Sequence, residues 1–363
     1  MGGKFQGRSR LITEAVEETA EDRAAIDEDR SPSAEDRQPP LVLVTGASGF
    51  IGSRLLDALA GQARVRALVP PGEQLVDDQL EVVVGDVRDQ SALEQACEGV
   101  DRVFHLAARV GDWGHEDDFW TVNVDGTRNL FEAAVHAHCR RVVMVSSIAV
   151  YGMQLRTSCC DEELPRAEGV GPYSRSKSAS EAIARDYHRR GDVEVVVVRP
   201  GNVFGPGRTP WVGELVRVLR KGQAPLIDSG TGDAQLAYVD NVVDVLMAAA
   251  SHPDAAGKIY NAVDGHGVTW RQYLGDLARL AGVREPRMAV PHKVAWTAAR
   301  ALERFAKLRR SSERPLLTRE AVVLLSSKHP IPNQRAVAEL GFMPRPYEQC
   351  LREVQTYIDS GAV

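Results

Sequence analysis

The pentapeptide Tyr173-Ser174-Arg175-Ser176-Lys177 places a phenol and an ammonium four residues apart. It opens a helical pattern that runs to Arg190, so the i, i+4 spacing puts both side chains on one face. A free phenol titrates near about 10, too high for a base at neutral pH. An ammonium about 4 Å away, in an effective dielectric of about 20, favours the phenolate by roughly 4 kcal/mol, or about three pKa units. The spacing therefore predicts a Tyr173 that titrates near ~7 and exchanges a proton with an alcohol or ketone oxygen. Ser146 and Ser147 follow an apolar run that ends at Val145. A hydroxyl there can hold the same oxygen by a hydrogen bond.

A second cluster is suited to binding. Thr45-Gly46-Ala47-Ser48-Gly49-Phe50-Ile51-Gly52 follows the apolar run Leu41–Val44 and leads into a helical pattern from Phe50 to Leu59. Gly46 allows a tight turn, Gly49 the close approach of a pyrophosphate, and Gly52 close packing of helix on sheet. Ser48, Phe50 and Ile51 belong to the same helix start, whose N–H groups and dipole favour an anion. Asp86, with Val87 beside it, ends a third strand, and its carboxylate can accept a bond from an adenine amino group. Asp89 is instead the expected cap of the next helix. His105-Leu106-Ala107-Ala108 ends a fourth strand in small residues that let a dinucleotide pass close to the backbone. NAD and NADP are distinguished at the end of the second strand, by an acid or an Arg. Arg66-Ala67-Leu68-Val69-Pro70-Pro71 carries neither sign clearly. Arg66 or Arg54 can reach a 2′-phosphate or be a surface residue, so the choice stays open.

The elements that position these groups alternate. Strands are expected at Leu41–Val44, Val65–Val69, Glu81–Val84, Val103–Leu106, Arg141–Val145 and Val193–Val198. Helices are expected at Phe50–Leu59, Ala92–Cys97, Phe119–His138 and Tyr173–Arg190. Continuous Val-rich runs between helices imply an α/β fold, a doubly wound parallel sheet covered on both faces. After Arg199 the alternation loosens. Helices are expected near Trp211–Arg220, Val242–Ala250, Trp270–Ala281 and Lys293–Leu308, and the tail Thr318–Ile358 reads as mostly helical. The expected organisation is an arm over 1–39, a Rossmann domain over 40–200 to which 236–263 returns, and a smaller, mostly helical substrate domain from 201–235 and 264–363.

Bulk properties narrow the class. The net charge is −6, and residues 1–39 account for −4 of it, with ten acidic and six basic residues. No general affinity for nucleic acid follows. That arm is too poor in large apolar residues to offset the entropy of ordering. No apolar run reaches the ~18–20 residues that span a bilayer, and the N-terminus lacks a secretory core. The five cysteines form no CxxC pair, so no metal site is expected, and a reduced, cytoplasmic compartment fits.

Taken together, the chain resembles the extended short-chain dehydrogenases/reductases, also called the NAD-dependent epimerase/dehydratase family. The resemblance runs from about Leu41 to Ile358. It rests on the TGxxGxxG turn, Gly85-Asp86, His105–Ala108, Asn123-Val124-Asp125-Gly126-Thr127, Ser146–Gly152, the YxxxK and Arg199-Pro200-Gly201-Asn202-Val203-Phe204-Gly205-Pro206. It implies that Ser147 is the catalytic serine, Tyr173 the acid/base and Lys177 its partner, which can also hold the nicotinamide ribose. It further implies that Asn123 is a structural, cofactor-side asparagine, that Pro200 faces the nicotinamide, and that Asn202, with Val203, adjoins the substrate. The expected cofactor is NAD or NADP, and a homodimer through Phe119–His138 and Tyr173–Arg190 is plausible from the family.

The substrate is less legible. Family members that act on nucleotide-sugars carry an Arg shortly before the second domain's Tyr-Val-Asp. Here Gly232-Asp233-Ala234-Gln235-Leu236-Ala237-Tyr238-Val239-Asp240 has none, although Arg208 or Arg217 can compensate. The helix from Val290 carries Trp296, Ala299, Leu302, Phe305 and Ala306 at helical spacing. With Val239–Val243 it resembles the 3-beta-hydroxysteroid and sterol-4-carboxylate dehydrogenase branch. The leading expectation is net hydride transfer on a hydroxyl or keto group of a small apolar molecule, steroid-like or isoprenoid. The alternatives are a nucleotide-sugar epimerase or dehydratase and a non-catalytic cofactor-sensing regulator. The loop Arg109–Trp120, with Trp113 and Trp120, either lines the pocket, with Arg109 at the substrate, or merely anchors itself. A basic face of Arg300, Arg304, Lys307, Arg309 and Arg310 permits weak contact with a membrane surface.

Overall fold

The strands follow in chain order as β1 (Leu41–Thr45), β2 (Arg64–Val69), β3 (Leu80–Val84), β4 (Arg102–His105), β5 (Arg141–Val145), β6 (Glu194–Pro200), β7 (Asn202–Phe204), β8 (Leu226–Ile227), β9 (Leu236–Tyr238), β10 (Ile259–Ala262) and β11 (Ala289–Val290). Seven of them form one parallel sheet in the order β10-β6-β5-β4-β1-β2-β3. They come from a computed structural model that describes residues 39–362 apart from 74, 76, 168, 208, 310 and 312. Residues 1–38 of the expected arm over 1–39, and the cations Arg208 and Arg310, therefore lie outside the described residues.

The sheet is parallel because its strands are connected through helices, and it is buried because its runs are apolar on both faces. Alternation divides β1 between two cores. Val42 and Val44 pack with Leu55 and Leu59 of α1 (Phe50–Leu59) and with residues 242–250. Leu41 and Leu43 pack with Leu93 and Ala96 of α2 (Gln90–Cys97) and with Leu130, Phe131 and Ala184. Asp89 caps α2, accepting from the N–H groups of Ser91 and Ala92. The covering is incomplete at the β3 edge, where Val82 and Val84 are exposed.

The expected helix Phe119–His138 is three pieces: α3 (Glu116–Trp120), a π-turn (Thr121–Asp125) and α4 (Gly126–His136). Asn123 sits inside the π-turn and is buried there. α5 (Pro172–Arg190) opens with Pro at its first position and ends at Gly191, which adopts a left-handed φ of 78°.

The remaining helices are α6 (Leu215–Arg220), α7 (Val239–Ser251), α8 (Trp270–Leu280), α9 (His292–Leu308), α10 (Arg319–Leu324), α11 (Gln334–Leu340) and α12 (Tyr347–Asp359). The tail is less helical than expected. The stretches 325–333 and 341–346 carry no helix, and side chains of neighbouring segments take up their polar groups, as when Gln235 Nε2 donates to the His329 carbonyl. A third core joins β7, β9, α6, α8 and α12 around Phe204, Tyr238, Trp270 and Tyr273.

Candidate active site at the sheet switch point

After β3 the chain crosses to the other side of β1, so the outward courses from β1 and β4 diverge at their C-terminal ends. Crevices of this kind bind ligands in open α/β sheets. The first glycine turn lies here. Gly46 has a φ of 72°, and a Cβ on it would stand 2.7 Å from the Ala107 nitrogen. A Cβ on Gly52 would stand 2.1 Å from the Gly46 carbonyl oxygen, which fixes how closely α1 rides on the turn. Gly49 is the N-cap of α1 and no side chain caps that helix, so its first-turn N–H groups face the crevice uncovered by a side chain. This cradle fits a pyrophosphate.

Leu106, Ala107 and Ala108 continue from β4 across the crevice. The Leu106 and Ala107 N–H groups donate to the Thr45 carbonyl and Thr45 Oγ1, at 3.1 and 3.2 Å. His105 bridges Thr45 Oγ1 and Thr127 Oγ1, and burial holds it neutral by lowering its pKa to about 3. Val87 is buried against Gly126, where a Cβ would meet Val87 Cγ2 at 2.6 Å. The Asp86 carboxylate is paired with Arg88, whose hydrogen bonds hold its pKa below the ordinary carboxylate range.

Neither Arg considered for a 2′-phosphate is free. Arg66 is bonded to Glu81 and to the carbonyls of Ala96 and Glu98, and Arg54 is paired with Asp240. Instead a carboxylate sequence reading missed, Glu73, reaches back from beyond β2 and accepts from Ser48 Oγ.

Across the crevice, Ser146 and Ser147 have different roles. Ser146 Oγ donates to Glu181 Oε2 at 2.9 Å and is buried. Ser147 Oγ accepts from the Ala149 N–H at 3.1 Å, and its side chain lies where it can act on Tyr173. The Tyr173 side chain keeps some exposure, yet burial pushes its pKa up to about 12, against the opposing pull of the Ser147 side chain. Lys177 donates to the Val145 carbonyl at 2.9 Å, and burial lowers its pKa to about 8. The expected Tyr173 near 7 is therefore corrected. Spacing on the helix does aim both side chains at the end of β5, but Lys177 spends its proton on a carbonyl there, and burial outweighs any help to the phenolate.

Asn123 clamps this arrangement. Its Oδ1 accepts from the Arg109 N–H at 2.7 Å, and its Nδ2 donates to the Arg109 carbonyl and to Ser176 Oγ, so the loop after β4 is tied to the Tyr-Lys helix. The Arg109 guanidinium lies over Phe119 and near Asp118. Pro200 is buried at the end of β6. Asn202 is buried too, its Nδ2 donating to the Ala234 carbonyl at 2.7 Å, while Val203 beside it is half-buried.

Two further groups were not foreseen. Arg199 meets Glu181 through two bonds, 2.5 and 3.1 Å, and donates to Tyr151, whose hydroxyl also reaches Asn261. Burial opposes the Arg199 charge, but Glu181 more than restores it, so its pKa lies above the ordinary value. The motifs around Tyr151 and Arg199 signalled this network, whereas Glu181 had no signal of its own. Beyond Tyr173, Asp112 accepts from Arg314 and Thr318 Oγ1, each at 2.6 Å. Glu320 Oε1 accepts from the Ser174 N–H at 3.0 Å, capping α5 where Gly171 has no side chain to do so. Burial raises the Glu320 pKa to about 7.

Residues 42–262 match the NAD dependent epimerase/dehydratase family. The chain belongs to this family. Family and geometry together make it an enzyme of nicotinamide-dependent hydride transfer. It is 30% identical over 259 residues to the N-acetyl-alpha-D-glucosaminyl-diphospho-ditrans,octacis-undecaprenol 4-epimerase of Escherichia coli O157:H7, covering 69% of this chain and 75% of that one. It is 31% identical over 328 residues to the 2-alkyl-3-oxoalkanoate reductase of Stenotrophomonas maltophilia, covering 84% and 94%. Among solved structures, dTDP-glucose 4,6-dehydratase from Streptomyces venezuelae with NAD bound superposes with a TM-score of 0.70 at 26% identity, covering 89% of this chain and 98% of that one. These family members include epimerases, a dehydratase and a reductase, and no branch, steroid dehydrogenases included, stands nearest. No helix among the described residues is long and apolar enough to cross a membrane.

Proposed function

We propose that this enzyme oxidises and re-reduces a secondary hydroxyl of a diphosphate-linked sugar, with NAD as its cofactor. The observation that carries the reading is the juxtaposition of Ser147 and Tyr173 beyond the C-terminal end of β5, across the switch-point crevice from the glycine cradle. The glycine cradle and the Leu106–Ala108 segment would hold NAD, which when bound would supply the acceptor and donor of the hydride exchanged with the carbinol carbon. Ser147 holds the reacting oxygen, and Tyr173 exchanges its proton. With its pKa pushed toward 12, Tyr173 is a protonated phenol at neutral pH and donates to the carbonyl oxygen in the re-reduction half, while the oxidation half draws on its phenolate form, which takes the hydroxyl proton and becomes that phenol. Lys177 fixes the end of β5 from the same helix.

NAD rather than NADP is supported by Glu73, a carboxylate beside the glycine turn that would repel a 2′-phosphate, and by the engagement of Arg66 and Arg54. The sugar reading is supported by the epimerase and dehydratase relatives.

A second reading, net reduction of a ketone on an apolar substrate, is favoured by one specific observation. The stretch 232–238 has no Arg for a diphosphate, and half-buried Asp233 stands there with its pKa raised by burial. The reductase relative also aligns over more of the chain than the epimerase relative does.

Spectroscopy of the cofactor during turnover separates the two. The first reading gives a sugar epimer or dehydrated product with no net NADH, and the second gives stoichiometric NADH change. In either case Tyr173→Phe is expected to lower turnover by about a thousandfold while calorimetric NAD affinity stays within about twofold. Full activity in that variant would sink the assignment.

A further inference from the structure

Helix α9 has three faces rather than two. Ala295, Ala299, Glu303 and Ala306 are buried, and with Trp296 they pack on the rest of the chain. Leu302 and Phe305, which the sequence spaces with Trp296, Ala299 and Ala306, are exposed. Helical geometry explains the split, because Phe305 falls in register with Val294, Ala298, Ala301 and Leu308 at spacings of four, three, four and three. All five are exposed, Val294 by 57%, Phe305 by 52% and Leu308 by 85%. The third face, on one flank of this stripe, carries Lys293, Arg300, Arg304 and Lys307, all exposed, and Arg309 stacks over the Phe305 ring on the other. The one acid of the helix, Glu303, points inward and is neutralised by Arg319. An acid from outside the helix, Glu116, feels the charge of Lys307 but is itself bonded to Arg175.

We infer that this face of α9 docks the enzyme on the surface of an anionic phospholipid bilayer. A helix lying in the interface needs an apolar stripe to enter the acyl boundary and cations beside it to meet the headgroups. Lys and Arg stems reach sideways from such a stripe, so their charges stay in the headgroup layer while the apolar residues go deeper. A partner protein helix would be met by a stripe flanked with both signs of charge, whereas here the exposed flank is cationic throughout. The docked face is close to the chemistry. α9 packs on α10, and α10 carries Glu320, which caps the helix of Tyr173 and Lys177.

The inference concerns binding alone and stands whether the reaction is epimerisation or net reduction. Its test is co-sedimentation of the full chain, without substrate, with vesicles of equal parts phosphatidylglycerol and phosphatidylcholine, and with vesicles of phosphatidylcholine only. We expect binding to the first, at least about tenfold weaker binding to the second, and release from the first as salt is raised. Phe305→Asp with Leu308→Asp should cut binding to the anionic vesicles at least about tenfold, and Arg300→Glu with Arg304→Glu should do likewise. Far-ultraviolet circular dichroism and the melting temperature show that these surface variants stay folded. No binding to phosphatidylglycerol vesicles overturns the inference. So does binding that the Phe305 and Leu308 changes leave intact. A third overturning result is a dimer in sedimentation velocity that those changes dissociate, since the face would then belong to a second copy.

Discussion

At the turn after β1 the binding surface is backbone: Gly46 against the Ala107 nitrogen, Gly52 against the Gly46 carbonyl, and the bare start of α1. Beyond Tyr173 the surface is held by side chains. Asp112 grips Arg314 and Thr318 across sequence separations of 202 and 206, and Glu320 reaches the start of α5 across 146. A cradle made of backbone tolerates almost no added atom and carries no group that titrates. A latch made of carboxylates tolerates changes of shape but depends on its partners and, at Glu320, on pH. The difference suits a fixed cofactor on one side and a substrate that varies between relatives on the other.

The largest expected effect is on the backbone side. Gly52→Val places carbon where the Gly46 carbonyl already is, and should cost about 3 kcal/mol or more of stability along with NAD affinity. Unchanged affinity in calorimetry would break the comparison at its stronger end.

Next comes Glu320. Its folded pKa of about 7 lies above the ordinary 4.5, so the folded protein keeps a proton that the unfolded chain releases. Stability therefore falls as pH rises from about 4.5 to about 7, by roughly 2–3 kcal/mol, and does not recover above that window. Glu320→Gln should flatten this slope and raise the urea midpoint at pH ~8 relative to the parent. An identical slope in both proteins would show that the carboxyl bears no such cost.

The smallest effect sharpens the cofactor side. Glu73→Ala should shift the NAD-over-NADP preference by about tenfold, roughly 1.4 kcal/mol, toward NADP. Steady-state kinetics with both cofactors reads it, and an unmoved ratio would remove Glu73 from that role.

The same contrast explains what the amino-acid sequence displays. Gly46, Gly49 and Gly52 act through local geometry, so their spacing is visible in the chain, and the Val-rich runs of β1, β5 and β6 announce a buried parallel sheet. Residues acting across long separations leave no such trace. Glu320, Asp112 and Glu181 look like ordinary surface acids until the fold brings them to Ser174, Arg314 and Arg199. Tyr173 and Lys177 are an intermediate case. Their spacing shows the shared face, but not the Val145 carbonyl or the burial that together decide how each titrates. The π-turn at Thr121–Asp125 was hidden for a related reason. Its residues fit a continuous helix, and the bonds that Asn123 makes from within it reach residues distant in the chain.

The strand order also imposes a schedule on synthesis. The chain emerges from its N-terminus, so β1, β2 and β3 can pair first and β4, β5 and β6 can join on the other side of β1. β6 then waits, because its outer neighbour β10 begins only at Ile259. Through that interval Val195, Val196, Val197 and Val198 line an open edge with unpaired backbone groups. The finished enzyme buries these four valines, yet while it is being made they form an open edge able to pair with another nascent chain.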